Sequence, residues 1–303
     1  MKRRYFRIVI AGIIFILALL LTLYPIISNI YNRHHQSMIH TAYEEVLQQA
    51  DTQNLDRIRE LAIAYNEAIT PGTAADTYSK AALLEASVDY DSQLDPSGNG
   101  IMGYIEIPKI SVNLPIYHGT DTDTLERGTG HLLGSSLPVG GNSTHTIITG
   151  HSGLASQKMF TDLEQVQEED VFYLHVLGEV LAYQVYHWEA VLPHNTEKLG
   201  IQQNEDLCTL ITCYPTGINT HRLLVQGRRI PYEEAEKVEE EIILEIQETK
   251  SQWEDQYMLG IWMGIWGMLL ALAIYLITIV IRRKYQWKEG SGNAERRRQQ
   301  KKW

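Results

Sequence analysis

The chain has 303 residues, 44% of them apolar, with 26 Lys and Arg against 37 Asp and Glu and a formal net charge of −11. That balance excludes a disordered or collagen-like chain. The apolar residues are unevenly spread, and residues 8–23 (IVIAGIIFILALLLTL) carry no charge. Extended to Ile27, the run reaches roughly the 20 residues a helix needs to cross ~30 Å of hydrocarbon. Residues 258–281 form a second such run.

Lys2, Arg3, Arg4 and Arg7 precede the first run, and Arg282, Arg283, Lys284 and Lys288 follow the second. The positive-inside rule then predicts that both termini are cytoplasmic and that residues 28–257 lie outside the cell membrane. The tails with their spans carry 13 basic and 2 acidic residues, the middle 13 and 35, so the net charges are +11 and −22. An exported segment this acidic argues against a nucleic-acid partner, because phosphate neutralisation needs a basic face. The first run reads as a retained signal anchor, since it exceeds a usual signal-peptide core and residues 26–31 offer no small-x-small cleavage site.

In chain order, residues 1–7 are a cytoplasmic tail, 8–27 the anchor and 28–90 a helical lead-in. Within the lead-in, DTQN (51–54) and TPGT (70–73) are turns, and Leu55, Ile58, Ala62, Tyr65 and Ile69 recur at steps of three and four opposite Arg57, Glu60 and Glu67. Asp76 is expected to cap a further short helix through Val88. DSQLDPSGNG (91–100) reads as a loop. Over 101–231 short β runs follow, IMGYIEI, VNLPIYH, THTIITG, DVFYLHVL, LAYQVYHWEAVL, DLCTLITC and HRLLVQGRRI. Seven or eight strands in about 130 residues predict a closed or nearly closed barrel. Residues 232–257 predict an acidic, solvated stalk helix leading into the second span at 258–281, and 282–303 a basic cytoplasmic tail. The expected fold class is therefore mostly β: a closed barrel of about eight strands with N-terminal helices, flanked by two transmembrane helices.

The only cysteines are Cys208 and Cys213. LCTLITC reads as a strand, whose rise of ~3.3 Å per residue separates the two Cα atoms by about 16 Å. A disulfide tolerates at most ~7 Å, and the odd spacing turns the side chains to opposite faces. Cys213, at the strand end before Tyr214-Pro215, is the candidate nucleophile; Cys208, within the strand, suits a small core residue. A thiol is only a few per cent ionised near neutrality, so Cys213 needs a cationic neighbour. Of eleven histidines, His34, His35 and His40 lie just outside the membrane, and His175 and His187 fall within strands. His151 sits on a turn between glycines at the exit of THTIITG and is the candidate partner. His131, in GTGHLLG, is the runner-up and His221 a weaker choice. No His-x-His or Cys-x-x-Cys spacing occurs, so neither a metal nor a cofactor is expected. The DTD at 121–123 lacks the rest of a calcium loop. Arg222 lies nine residues after Cys213 across PTGINTH, a connection that can return the chain as a hairpin and set a permanent cation beside the thiol. Arg228 and Arg229 read as a solvated pair.

TLITC (209–213), ITGHSG (148–153) and GINTHRLLVQG (217–227) resemble the three signature segments of sortases, in the order His, Cys, Arg. GYIEIPKI (103–110), LPIYHGTD (114–121) and GTGHLLGSSLPVGG (128–141) are similar to the class C, pilus-assembling branch, and the likeness covers about residues 91–231. The resemblance implies a β-barrel cysteine transpeptidase acting on an LPXTG-like sorting signal. Cys213 would attack the Thr–Gly amide, His151 protonate the leaving amine, and Arg222 hold the oxyanion. A pilin lysine would then resolve the thioester. The family's Asp-Pro-aromatic lid has its nearest equivalent in Asp95-Pro96-Ser97, where serine replaces the aromatic. This implies a weakly held lid anchored from Asp95 to Arg222, or else a plain Asp-Pro turn.

Three alternatives remain beside the pilin-polymerising reading. A housekeeping sortase would attach proteins to the wall peptide. A papain-like protease is disfavoured because His151 precedes Cys213. A non-catalytic two-span sensor is disfavoured by its short tails.

Overall fold

The computed structural model describes residues 2–69, 90–154, 157–246, 258–275, 277–279 and 281. The chain divides into two compact units, residues 1–24 with 254–303, and residues 25–253.

The larger unit is built on a closed barrel of eight strands in the order β1-β2-β3-β4-β7-β8-β6-β5. The strands are β1 (Ile101–Ile107), β2 (Val112–His118), β3 (Thr129–His131), β4 (Thr144–Thr149), β5 (Val171–Val176), β6 (Glu179–Val191), β7 (Asp206–Tyr214) and β8 (His221–Ile230). Seven of them fall on the β runs read from the sequence. The eighth, β3, lies inside GTGHLLG; three residues are too few to show a period of two.

β4 and β7 pair in parallel, as do β2 and β3, whereas the other neighbours are antiparallel. β4 and β7 are buried on both faces, the outer one covered around Leu199, which suits their near-continuous β-branched and apolar composition. Cys208, Leu210, Leu223 and Val225 belong to the main core with Ile105, Ile116, Phe172 and Tyr183. Ile211 and Leu224, at the alternate positions, pack outside the barrel wall with Ile147 and Leu199.

α1 (Lys2–Gln49) runs unbroken across the boundary expected at residue 27. In the barrel unit it brings Tyr43, 2% exposed, against the core, where the phenol donates to Met102 O and accepts from Leu177 N–H, both at 3.1 Å. α2 (Thr52–Ala68) is capped by Asp51, whose carboxylate accepts from Gln53 N–H. The expected stripe is the packing face: Ala62 is buried, and Leu55, Ile58 and Tyr65 pack half-buried on the core. Asn66 adds a two-way backbone bond to Leu137. The helix expected from Asp76 to Val88 lies outside the described residues. α3 (Thr122–Arg127) is a short helix between β2 and β3.

α4 (Tyr232–Ile246) corrects the solvated-stalk reading over its own length, and residues 247–257 of the expected stalk lie outside the described residues. Ala235 and Ile242 are buried against Val171, Tyr173 and Ala182, with Val238 beside them, and Glu239 accepts from the Tyr173 hydroxyl at 2.8 Å. An apolar seam at steps of three and four docks this helix on the barrel despite its many glutamates.

In the smaller unit, α5 (Met258–Ile279) is the one described helix long and apolar enough to cross a membrane. The first expected span falls within α1, where the described apolar stretch is Val9–Leu21.

Candidate active site

β7 sets the site through its alternation. Cys208 faces the core, fully buried, and burial pushes its thiol well above the ordinary value. Cys213, on the opposite face near the strand end, is half-buried. Both thiols are free, as the strand geometry requires.

Two neighbouring strands supply the partners. Across the antiparallel ladder Cys213 stands directly opposite Arg222, so their side chains share a face of the sheet. On the other side, the parallel register pairs Thr149 with Ile211; two residues on, His151 comes level with Cys213. The turn that carries His151 is braced to β7 at each step. Gly150 N–H donates to Ile211 O at 3.0 Å, the Thr212 hydroxyl to Gly150 O at 2.8 Å, and the Ser152 hydroxyl to Cys213 O at 2.7 Å. His151 O in turn accepts from Phe160 N–H at 2.9 Å. Glycine is required at 150, where a Cβ would sit 2.7 Å from the Phe160 ring.

Cys213, His151 and Arg222 line one cleft of 590 Å³, floored by Leu132, Leu199, Ile211 and Leu224. Arg222 donates to His221 O at 3.0 Å, and among the described residues its other guanidinium donors are left for a ligand. Its lining mixes apolar side chains with Thr149, Asn195, Thr196 and the three candidate groups, the form expected of a ligand site.

The other candidates have structural places. His131 is fully buried; its Nε2 faces Ser136 O at 2.9 Å and its Nδ1 the Tyr90 hydroxyl at 2.9 Å. Burial lowers its pKa to about 4. His221 pairs with Tyr214 in the ladder and meets the Thr220 hydroxyl at 2.9 Å. Asp121 caps α3 through Thr124 N–H, which together with the Thr124 hydroxyl lowers its pKa. Arg228 bonds Glu205 and lies over Tyr186, while Arg229 lies over Tyr183. Among the described residues no group of three His, Cys, Asp or Glu side chains could hold a metal ion.

Asp95 differs from the lid expectation. Its carboxylate accepts from Asn99 N–H at 3.1 Å and Gly100 N–H at 3.0 Å, with the Ser97 hydroxyl at 3.5 Å. No Asp95–Arg222 ion pair occurs among the described residues, and neither Asp95 nor Pro96 nor Ser97 lines the cleft. A carboxylate followed by free backbone amides closes on its own turn. His118 holds the same loop, its ring nitrogens against Gln93 O at 2.6 Å and Gly100 O at 3.1 Å. The hydroxyl braces of Thr212 and Ser152 escaped the sequence reading; their signal was two small hydroxyl residues adjoining the candidate cysteine and histidine.

Residues 105–230 match the family model described as the sortase domain. Sortase C1 from Streptococcus agalactiae is 39% identical and superposes with a TM-score of 0.59 over 64% of this chain and 98% of its own. Sortase C from Streptococcus pneumoniae is 41% identical, with a TM-score of 0.57 over 64% and 97%. Sortase D of Bacillus subtilis is 28% identical over 138 residues, 45% of this chain and 67% of that protein. The chain belongs to the sortase family, the cysteine transpeptidases. Sortase C proteins of S. agalactiae, Actinomyces oris and S. pneumoniae are among its structural neighbours, which supports the class C branch.

Proposed function

We propose that the protein is a membrane-anchored transpeptidase that polymerises pilin subunits, with Cys213 as nucleophile, His151 as general acid and base, and Arg222 as oxyanion and substrate holder. The observation that carries this reading is the single cleft shared by those three side chains, with Arg222 directly across the ladder from Cys213. The Cys213 thiolate adds to the Thr carbonyl carbon of an LPXTG-like signal. The C–N bond to Gly then breaks, and the His151 imidazolium gives its proton to the departing amine, leaving a thioester. A lysine amine of the next pilin adds to the thioester carbonyl and passes a proton to His151, and the C–S bond breaks to return the thiolate. Arg222 donates hydrogen bonds to the oxyanion in both halves. A pilin substrate is favoured by likeness to the S. pneumoniae enzyme, whose structure is described in terms of pilin substrate specificity.

The test offers the full chain in detergent an LPXTG-type peptide together with two acceptors, a pilin and a wall-peptide amine. An isopeptide bond to pilin lysine is expected. Preference for the wall-peptide amine would favour the housekeeping reading instead.

The proposed arrangement places both the α1 apolar stretch and α5 in the cell membrane, residues 28–257 outside, and the cationic ends of the chain inside. It divides the exported part into the lead-in 28–90, loop 91–100, catalytic barrel 101–231 and the segment 232–257. Protease added to intact cells should cut within 28–257 and leave both tails protected; cleavage of residues 282–303 would refute the topology.

A further inference from the structure

The connection from β6 to β7, residues 192–205, forms one wall of the cleft through Pro193, Asn195, Thr196 and Leu199. Its regular part is one 3-10 turn, Glu197–Leu199. Local bonds, Asn195 N–H to Leu192 O at 2.9 Å and Leu199 N–H to Thr196 O at 3.0 Å, fix the shape of the connection. They do not fix its place against the barrel.

Lys198 pairs with Glu189 of β6 at 2.8 Å and Glu205 O accepts from Thr144 N–H at 3.0 Å; the segment around Leu199 is held from beneath. Leu199, 4% exposed, packs with Ile147, Ile211 and Leu224, and the carbonyls on either side of it are each held by a buried strand side chain. His145 of β4 sets Nδ1 2.9 Å from Gly200 O and Nε2 2.7 Å from the Thr209 hydroxyl. Gln226 of β8 donates to Lys198 O at 3.2 Å and to the Thr209 oxygen at 3.4 Å. All three side chains are at most 3% exposed.

The donors and acceptors close without conflict. Nδ1 faces a carbonyl and so carries the proton; Nε2 accepts from the Thr209 hydroxyl, whose oxygen accepts from Gln226. Burial lowers the His145 pKa, in keeping with a neutral ring. β4 and β8 flank β7, which carries Thr209, so the network spans three strands.

We propose that His145 and Gln226 are positioning residues for the substrate, clamping from opposite strands the two carbonyls that flank Leu199 and thereby setting the width of the cleft beside Cys213. The inference rests on the reading that this cleft binds the sorting peptide. Neither side chain lines the cleft, so losing one leaves the reacting groups in place while the wall moves.

The test uses the full chain in detergent, with kcat and KM for an LPXTG-type peptide and hydrogen exchange across 192–205. Losing one clamp bond in His145→Leu or Gln226→Leu should raise KM about tenfold with kcat within about twofold, and speed exchange at 197–201. His145→Asn keeps an amide donor near the Nδ1 position and should recover most of the KM. Thr209→Val, which removes the bridging hydroxyl at constant shape, should raise KM about threefold and serves if the leucine variants do not fold. Unchanged KM, kcat loss at constant KM, equal loss in the Leu and Asn variants, or unchanged exchange at 197–201 would each overturn the clamp. Should Cys213→Ala still turn over peptide, the reading of the site fails, and the exchange at 197–201 decides the clamp alone.

Discussion

Cys208 and Cys213 lie five residues apart on β7, yet one is sealed in the core with its thiol pushed well upward and the other opens into a cleft opposite an arginine. The histidines repeat the contrast. His131 is enclosed by Tyr90, Ser135 and Ser136 with its pKa pushed down to about 4, whereas His151 occupies a turn at the cleft. Burial holds Cys208 and His131 neutral, while the cleft leaves Cys213 and His151 available. Residue type therefore says little about reactivity here; strand parity and the position along the strand decide it.

The largest expected effect comes from exchanging the two cysteines' fates. Cys213→Ala should lower transpeptidation at least ~10³-fold with stability changed by less than about 1 kcal/mol. Cys208→Ala should keep activity within about threefold while lowering stability by about 1–3 kcal/mol through the core cavity. Steady-state kinetics and denaturant titration read both, and the reverse pattern would dissolve the comparison.

Next is the cation. Arg222→Ala should cost about 10²–10³-fold in kcat, and Arg222→Lys should recover only part of that, because the charge returns without the fork of donors. Full recovery by lysine would reduce the role of Arg222 to charge alone.

His131 sharpens the contrast through pH. Its folded pKa, about 4, lies below the ordinary value near 6.5. The unfolded chain therefore binds more protons between these values, and the stabilisation from the neutral ring, present above about pH 6.5, is lost as pH falls toward 4. The loss is about 3 kcal/mol over that window, and His131→Asn should flatten the slope in acid unfolding titrations. An unchanged slope would show that His131 is not the group responsible.

The smallest effect concerns Asp95. Since its carboxylate closes its own loop, Asp95→Ala should change Cys213 alkylation by less than about twofold. A large acceleration would restore the lid anchored on Arg222.

Much of this was legible in the sequence. Seven strands showed as β-branched runs between Gly, Pro and Asn, and the hairpin span from Cys213 to Arg222 foretold their pairing because an antiparallel connection keeps its register local. The approach of His151 to Cys213 is different in kind. It depends on the parallel pairing of β4 with β7, which no local pattern encodes; the sequence offered His151 through its place on a glycine-flanked strand exit, and the family resemblance agreed. β3 was too short to show a period. The Ala235, Val238 and Ile242 seam was masked by surrounding glutamates, so a docked helix read as a solvated one. Asp95-Pro96-Ser97 carried two meanings, a lid and a turn, and only the amide partners distinguish them.

The most direct measurement is mass spectrometry of the full chain after incubation with an LPXTG-type peptide, with the acyl adduct located by fragmentation. The account predicts a thioester on Cys213 that a lysine amine removes, with Cys208 unmodified. An adduct on Cys208, or none on Cys213 while the peptide is cleaved, would contradict it.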